Sequence, residues 1–491
     1  MGETFTQGIK LLQKIIIKQT IKNKNKMKKN YTLIAFTAIL IIVNITLPFY
    51  SNAQIISGGA QFSISLCADS TINTFGYNQL GELGNGNNTD SNVPIQINSI
   101  TGITAIQGGG YHSMALNNNG QVWIWGQNLY GQLGNGNNTD SNIPIQIGGL
   151  TGITAIGAGG GHSLVLKNDS TIWAWGKNDY GQLGNGNYTN TNVPIHITSL
   201  TGVKAIVANL GVNSMALKYD GTVWTWGGNA DGILGNGTYI GSNVPIQVGS
   251  LSGIIAISMG LDQAFALKND STVWAWGLNT YGALGDGTNT DSNIPVQVTS
   301  LTGIKAIAGG AQHCIALKNN GTVWAWGING TAGILGNGSS VASNVPVQTS
   351  LLTNVIAISG ADEHTLALKN DGTLWSWGMN TWGALGNGTN INSNIPVQVI
   401  GLCSILTNTN EIKTSLSFSV YPNPTNGIVY FSGVGKESTI ELFDIVGKKI
   451  NTIIAQTTDF KFDFSSFSKG MYFYNVTTKG KESKQGKIII Q

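Results

Sequence analysis

One sequence unit recurs seven times along this chain of 491 residues. The second aromatic residue of a Trp-x-Trp-Gly pattern returns at intervals of 50, 50, 51, 50, 50 and 51 residues. These residues are Phe75, Trp125, Trp175, Trp226, Trp276, Trp326 and Trp377. Each is followed by Gly-x-Asn and Leu-Gly-(Asn/Asp)-Gly, and each repeat has one proline in (Ser/Thr)-Asn-(Val/Ile)-Pro. A fixed period of this length indicates stacked units that share a core no single unit could bury.

Each repeat is predicted to contain four short strands. In the third repeat, Trp173 and Trp175 share one face and Ile172 and Ala174 the other, as the two-residue period of a strand requires. Asp-Gly or Asn-Gly at the second turn, as at residues 220–221, favours a tight hairpin. For this repeat the predicted strands are residues 154–156, 162–167, 171–175 and 193–198. Seven antiparallel four-stranded units fit a closed β-propeller, with a β-solenoid as the alternative.

Composition supports folding and argues against a nucleic-acid partner. Only 10% of residues are charged and 67 are glycine, but 41% are hydrophobic and 13 are tryptophan, so a core can form. Residues 54–405 hold 8 lysines against 15 acidic residues, a net charge of −7, and the chain has no arginine. Phosphate binding needs clustered basic residues, and arginine above all.

The three cysteines match neither a zinc pattern nor a redox Cys-x-x-Cys pair. We expect Cys67, Cys314 and Cys403 to be buried free thiols. The alternative is a Cys67–Cys403 disulfide, because ring closure would bring the first and last repeats together in an oxidising compartment.

The N-terminal residues 1–53 are typical of an export signal. Lysines from Lys22 to Lys29 precede an uncharged apolar run at residues 31–49, and Met27 is an alternative start. Small residues then predict signal peptidase cleavage after Ala53, leaving Gln54 first. An uncleaved membrane anchor is the alternative. Because Asn44 and Pro48 interrupt the run, we expect no permanent membrane span in the mature chain.

The repeat resembles that of the regulator of chromosome condensation family. The pattern Asp-Gly-Thr-Val-Trp-x-Trp-Gly-x-Asn-x-x-Gly-x-Leu-Gly is complete at residues 220–235, and Gly-x-x-His-Ser-x-x-Leu occupies residues 109–116. The resemblance implies an all-β chain with a seven-bladed propeller over residues 54–405. Repeat one departs from the pattern at Phe62, Asn73 and Phe75. Terminal repeats often deviate in this way.

A second domain is predicted after a linker at residues 406–416. Tryptophan disappears after Ile405, and strand-like runs at 428–431, 440–443, 460–464 and 471–476 indicate a small β-sandwich. Tyr-Pro-Asn-Pro at 421–424, Leu-Phe-Asp-Ile-Val-Gly-Lys at 442–448 and Gly-Lys-Ile-Ile-Ile at 486–490 resemble the type A sorting domain of type IX secretion. The resemblance implies that residues 417–491 engage that machinery and that the protein is secreted or held on the outer surface of a Gram-negative bacterium. An unrelated fibronectin-like module is the alternative.

The sequence does not predict a catalytic, cofactor or metal site. His112, His162, His313 and His364 occupy one repeat position, where other repeats have Phe62, Asn213 and Gln263. A position that accepts such different residues favours a structural role, such as bonding a neighbouring carbonyl. The Asn-rich loops, as at 136–142, lack the ordered ligand spacing of a calcium loop, and the glycine-rich segments lack the Lys-Ser/Thr of a phosphate loop.

We predict that one end of the propeller binds an extracellular protein or glycan. The residues just before the histidine position share no chemistry, so no repeated structural need explains them. They include Gln61, Tyr111, Val212, Asp262, Gln312 and Glu363. The same end should carry Tyr130, Tyr180, Tyr281 and Trp382, which could instead brace their loops. Aromatic and acidic side chains around a concave rim suit recognition.

The sequence is compatible with three functions. The first is a non-catalytic binding or scaffold propeller. The second is an extracellular polysaccharide-active enzyme with Asp262, Asp362 and Glu363 as acid or base. The third is guanine nucleotide exchange, as in the founding family, which export and the absence of a long inserted segment disfavour.

Overall fold

The computed structural model describes residues 55–249, 251–403, 405, 419–421, 425, 427–432, 438–444, 448–457, 459–477 and 484–490. The described residues form two compact units, the propeller and a C-terminal unit, which are described separately. The predicted signal region 1–53, with its cleavage after Ala53, and the linker 406–416 lie outside this part of the chain. No helix in the described segments has the length and apolarity to cross a membrane.

Seven antiparallel sheets, which we call blades 1 to 7, form the propeller, and each contains four strands that are consecutive in the chain. Blade 1 contains β1 (Ile56–Gly58), β2 (Phe62–Leu66), β3 (Ile72–Gly76) and β4 (Ser91–Ile97). Blade 2 contains β5 (Ile103–Gly108), β6 (His112–Asn117), β7 (Val122–Gly126) and β8 (Ser141–Gln146). Blade 3 contains β9 (Ile153–Ala158), β10 (His162–Lys167), β11 (Ile172–Gly176) and β12 (Thr191–Ile197). Blade 4 contains β13 (Val203–Ala208), β14 (Asn213–Lys218), β15 (Val223–Gly227) and β16 (Ser242–Gln247).

The remaining blades repeat the same order. Blade 5 contains β17 (Ile254–Met259), β18 (Gln263–Lys268), β19 (Val273–Gly277) and β20 (Ser292–Gln297). Blade 6 contains β21 (Ile304–Gly309), β22 (His313–Lys318), β23 (Val323–Gly327) and β24 (Ser343–Gln348). Blade 7 contains β25 (Val355–Gly360), β26 (His364–Lys369), β27 (Leu374–Gly378) and β28 (Ser393–Gln398). The predicted seven-bladed, four-stranded architecture is confirmed.

The fourth strand of blade 3 begins earlier than the sequence predicted. In blade 3, β12 starts at Thr191 and not at residue 193, because Thr191 pairs with Gly176 across a bulge. The proline of each repeat lies in this outermost strand. A proline cannot donate to the ladder, so the edge is its natural place.

Large aromatic side chains fill the spaces between blades. The second aromatic residue of each pattern is fully buried, and in blades 2 to 7 it is a tryptophan whose indole nitrogen donates to a carbonyl of the preceding blade. Trp175 Nε1, for example, donates to the Gln132 carbonyl oxygen at 2.8 Å. The first tryptophan lies on the same face of its strand but is only half-buried, and Trp173 stacks on His196 with ring centroids 5.4 Å apart.

The ends of the first strands crowd around the propeller axis. Successive blades are joined there by backbone hydrogen bonds, such as Gly110 N to Gly159 O and Gly160 N to Asn209 O, both 2.9 Å. A Cβ atom on Gly160 would lie 2.1 Å from the Leu210 carbonyl oxygen. Glycine is therefore needed for close backbone approach, as the sequence indicated.

A disulfide between Cys67 and Cys403 closes the ring, so the expectation of free thiols is wrong for this pair. Their Cα atoms are 5.7 Å apart although 336 positions separate them in the chain. Among the described residues, blade 1 contains only the consecutive strands β1 to β4. The chain after β28 returns to blade 1, where Ile405 forms an isolated bridge with Cys67. Cys314 is buried and free, as predicted.

The disulfide explains why repeat one lacks its first tryptophan. Asn73 occupies that position, and its Nδ2 donates to Cys403 Sγ at 2.9 Å. In blade 6 the equivalent pair is a lysine over a tryptophan, with Lys318 Nζ 4.3 Å from the Trp324 ring centroid. Cys67 and Asn73 replace the lysine and the tryptophan in blade 1.

The C-terminal unit consists of two antiparallel sheets. Its strands are β29 (Ser419–Tyr421), β30 (Ile428–Ser432), β31 (Thr439–Phe443), β32 (Lys449–Ile454), β33 (Asp459–Asp463), β34 (Gly470–Thr477) and β35 (Lys484–Ile490). One sheet has the order β29-β30-β33 and the other β32-β31-β34-β35. Val429 and Phe431 of the first sheet and Ile440 and Leu442 of the second belong to one buried core. Four strands match the predicted runs, and β29, β32 and β35 were not predicted as strands.

Candidate binding face of the propeller

The two ends of the blades differ in their connections. The loop face carries the loops between first and second strands and those between third and fourth strands, and the hairpin face carries the hairpins between second and third strands. Tyr111, in a loop of the first kind, contacts Tyr77, in a loop of the second kind, with ring centroids 6.2 Å apart. The predicted placement of both loop types at one end is therefore observed.

The hairpin face repeats one hydrogen-bonded turn in at least five of its seven blades. Asp169 accepts hydrogen bonds from both the backbone and the hydroxyl of Thr171, the latter at 2.6 Å. These bonds lower the pKa of the Asp169 carboxyl. The same arrangement recurs at Asp69, Asp220, Asp270 and, as an amide, Asn320.

One asparagine organises each long loop of the loop face. Asn128 Oδ1 accepts from Leu133 N at 2.9 Å, while its Nδ2 donates to the carbonyls of Asn137 and Thr139. In every other blade the equivalent asparagine Oδ1 accepts the same backbone hydrogen bond. These loop oxygens are thus used internally. Within the described segments, no group of three His, Cys, Asp or Glu residues is placed to hold a metal ion.

The histidines of the repeated position join neighbouring blades. Each Nε2 lies within hydrogen-bond distance of a hydroxyl of the next blade. The pairs are His112 with Ser163 at 2.9 Å, His162 with Ser214 at 3.0 Å, His313 with Thr365 at 3.1 Å and His364 with Ser63 at 2.8 Å. Burial lowers the pKa of each histidine to about 3 or 4, so the rings stay neutral. Their structural role was predicted, but the partner is a hydroxyl and not a carbonyl.

The hydroxyl explains which repeats have histidine. Ser163 also donates to the Gln132 carbonyl, the same oxygen that Trp175 bonds. Where the next blade has no hydroxyl at the equivalent position, the histidine is replaced. Asn213 is followed one repeat later by Ala264, and Gln263 by Cys314. Phe62 is the exception, because the next blade still has Ser113. Reading each repeat against its successor could have revealed this pairing.

Most predicted binding residues are at least partly accessible on the loop face. Tyr111 is 37% exposed, Tyr180 53% and Tyr281 44%. The other predicted side chains are partly buried, namely Gln61, Tyr130, Val212, Asp262, Gln312, Glu363 and Trp382.

The structure brings Trp382, Tyr77 and Tyr111 together as an aromatic cluster across blades 7, 1 and 2. The Tyr77 ring centroid lies 5.4 Å from that of Trp382 and 6.2 Å from that of Tyr111, both edge to face. A shallow pocket beside the cluster is lined by Gln61, Glu363 and Trp382 among others. Sequence reasoning missed Tyr77. The signal was its variable position after Trp-Gly, where the other repeats carry Gln, Lys, Gly, Leu, Ile and Met.

Tyr130 and Tyr180 hold a lysine between them. Lys177 Nζ lies 4.9 Å from the Tyr130 ring centroid and 6.0 Å from that of Tyr180. The same ammonium is 3.9 Å from a carboxylate oxygen of Asp179. These two tyrosines therefore take part in an internal cation–π contact, which is the bracing role considered for them.

Three carboxyls of the loop face are partly or fully buried, and in the described part of the chain no ion pair engages them. Burial, and then the charge of Asp231, raises the pKa of Asp262 to about 6. Burial, and then the charge of Glu363, raises the pKa of Asp362 to about 6. Glu82 is fully buried; its Oε2 accepts from Leu80 N, its Oε1 has no partner, and burial raises its pKa to about 7. Asp262 and Asp362 belong to blades 5 and 7, so the structure does not join them in one site.

Comparison with known proteins identifies both units. The sequence profile of the regulator of chromosome condensation (RCC1) repeat matches residues 71–116, 119–166, 169–216, 220–267, 270–317, 320–368 and 371–408. The chain belongs to the RCC1 repeat family. A secretion system C-terminal sorting domain matches residues 419–491. This domain directs type IX secretion, so the RCC1-repeat protein is delivered to the cell surface or medium of a Gram-negative bacterium.

Solved structures share the fold. The crystal structure of human WBSCR16 is 24% identical, with a TM-score of 0.62, over 67% of this chain and 95% of that chain. Yeast RCC1 (Prp20), solved bound to Kap60, is 19% identical, with a TM-score of 0.61, over 76% of this chain and 88% of that one. No curated protein matches the chain. At these identities the similarity shows the propeller fold alone.

Proposed function

We propose that this RCC1-repeat propeller is an exported, non-catalytic binding protein whose loop face holds an extracellular protein or glycan. In this proposal, residues 1–53 direct export and are removed after Ala53, residues 54–405 form the propeller, and 406–416 are a linker. Residues 417–491 engage the type IX machinery. Nucleotide exchange is not proposed, because type IX delivery takes the chain outside the cell.

The contrast between the two propeller ends carries the proposal. On the hairpin face four aspartates are bonded to threonines in one repeated arrangement, as at Asp169 and Thr171. On the loop face, exposed tyrosines and partly buried carboxyls such as Asp262 differ from blade to blade and do not repeat. Among the described residues, Asp262 and Glu363 have no hydrogen bond or ion pair through their carboxylates. Buried carboxyls without a bonding partner lower the stability of the fold, and such groups are expected where a partner binds.

A glycan array and a pull-down with the exported protein would first identify a ligand. Its affinity is then measured for a loop-face triple variant, Tyr111→Ala with Asp262→Asn and Glu363→Gln. The matched control removes one exposed tyrosine and two charges from the hairpin face, with Tyr219→Ala, Asp169→Asn and Asp270→Asn. Asparagine is native at this position in blade 6, as Asn320, so the control should fold.

We expect the loop-face variant to lose binding at least tenfold while both variants melt near the wild-type temperature. Unchanged affinity in the loop-face variant would place the site on the hairpin face or the blade sides. Equal losses in both triple variants would indicate a general charge effect and would also contradict the proposal.

A polysaccharide-active enzyme remains the second candidate, because the raised pKa values of Asp262 and Asp362 suit a general acid. Reducing-sugar assays on acidic and neutral polysaccharides would test it. Hydrolysis that Asp362→Asn abolishes, with unchanged melting temperature, would favour this candidate over simple binding.

A further inference from the structure

The aromatic cluster of Trp382, Tyr77 and Tyr111 is bordered by carboxyl groups. Glu363 lines the same shallow pocket as Trp382. Glu82 lies close to Tyr77, since burial and then the charge of Glu82 raise the pKa of the Tyr77 hydroxyl. Glu82 is fully buried and its Oε1 has no partner. The Glu363 carboxylate thus lies at the edge of the aromatic rings, and the buried Glu82 carboxyl lies near Tyr77.

At another blade junction of this protein, an aromatic ring and a carboxylate together bind an ammonium group. Tyr130 of blade 2 and Trp382 of blade 7 occupy the same repeat position, and so do Lys177 of blade 3 and Tyr77 of blade 1. At the junction of blades 2 and 3, the aromatic ring takes the Lys177 ammonium at 4.9 Å, and Asp179 supplies a carboxylate at 3.9 Å. At the junction of blades 7 and 1, the Tyr77 ring takes the place of this lysine against Trp382. Glu363 supplies the carboxylate there, and within the described residues no cation pairs with it.

Charge favours a cationic occupant over a neutral one. Residues 54–405 carry a net charge of −7, with 8 lysines against 15 acidic residues. In the described part of the chain, no cation–π contact or ion pair engages Trp382, Tyr77 or Glu363. A neutral sugar would stack on a ring but leave this charge unmatched. A guanidinium or ammonium group satisfies both the ring faces and the carboxylates.

We propose that the aromatic cluster, with Glu363 at its edge, binds an arginine or lysine side chain presented by a protein partner. This inference rests on the proposed function, because it names the chemistry of the ligand for the same loop face. The partner's cation lies over the exposed ring faces, and the charge of Glu363 anchors it.

The probe is a capped hexapeptide of alternating arginine and glycine, with a glutamate–glycine peptide as its opposite. Binding to the full exported protein is measured by calorimetry at low and high salt, beside chitohexaose and cellohexaose. The variants are Trp382→Leu, which leaves the apolar residue that Leu80 provides at this position in blade 1, and Glu363→Gln. Asp169→Asn on the hairpin face is the control with the same change in charge.

We expect the arginine peptide alone to bind, with affinity falling about fivefold to tenfold in Trp382→Leu and in Glu363→Gln and not in Asp169→Asn. Equal affinity in all three variants, or no binding of the arginine peptide, would overturn the inference. Binding of an oligosaccharide that Trp382→Leu weakens would refute the cationic partner while leaving the loop-face function in place. If neither peptides nor sugars depend on the loop face, the proposed function fails as well.

Discussion

Removing the Cys67–Cys403 disulfide should greatly lower the free energy of unfolding of the propeller. We consider the double variant Cys67→Ser with Cys403→Ser. The bond closes a loop of 336 positions. Chain entropy for a loop of this length gives about 19 cal/mol/K, or about 6 kcal/mol of stability at 25 °C. The lost hydrogen bonds of Asn73 to the two sulfur atoms act in the same direction.

Urea unfolding followed by tryptophan fluorescence measures this loss, because six tryptophans are buried between blades. With an m-value of about 3 kcal/mol/M, a loss of about 6 kcal/mol lowers the midpoint by about 2 M. Reducing agent should shift the wild type to the midpoint of the double variant and leave the variant unchanged. A double variant within about 1 kcal/mol of the wild type would show that blade packing alone closes the ring.

Three further outcomes are expected. The unfolded state protonates each histidine below pH 6.5 while buried His313 stays neutral to about pH 3, so stability falls as pH drops through this window. At pH 5 the neutral His313 lowers the free energy of unfolding by about 2 kcal/mol. In unfolding curves measured against pH, His313→Gln should remove this loss. An unchanged pH dependence in the variant would contradict the burial argument. Trp226→Phe, which copies Phe75 of blade 1, removes the bond from Nε1 to the Gln182 carbonyl and should cost about 1 to 3 kcal/mol in urea unfolding, whereas a neutral effect would show that this bond contributes nothing. Deleting residues 417–491 should retain a folded propeller in the periplasm, as fractionation would show, and normal surface delivery would refute the role of the tail.

Local patterns were enough to predict the propeller. The 50-residue period, the two-residue alternation around Trp173 and Trp175, and the turn residues of the hairpins each depend on neighbours in the chain. The strands of blade 3 accordingly lie within about two residues of their predicted bounds. The sorting domain was recognised in the same way, from short motifs near the C-terminus.

The tertiary structure decided what joins distant repeats. The sequence allowed both free thiols and a Cys67–Cys403 bond, and only the return of the chain to blade 1 places the two sulfur atoms in contact. The hydroxyl partners of the histidines were unseen for the same reason, since Ser63 and His364 are 301 positions apart.

For the candidate site, too, some features follow from the sequence and others only from the tertiary structure. Its variable residues were readable from repeat alignment, and Tyr111, Glu363 and Trp382 all lie on the predicted face. Their assembly around Tyr77 was not readable, because three different blades contribute to the cluster. Hydrophobic period and turn chemistry are encoded within one repeat, whereas contacts across blades exist only after the ring has closed.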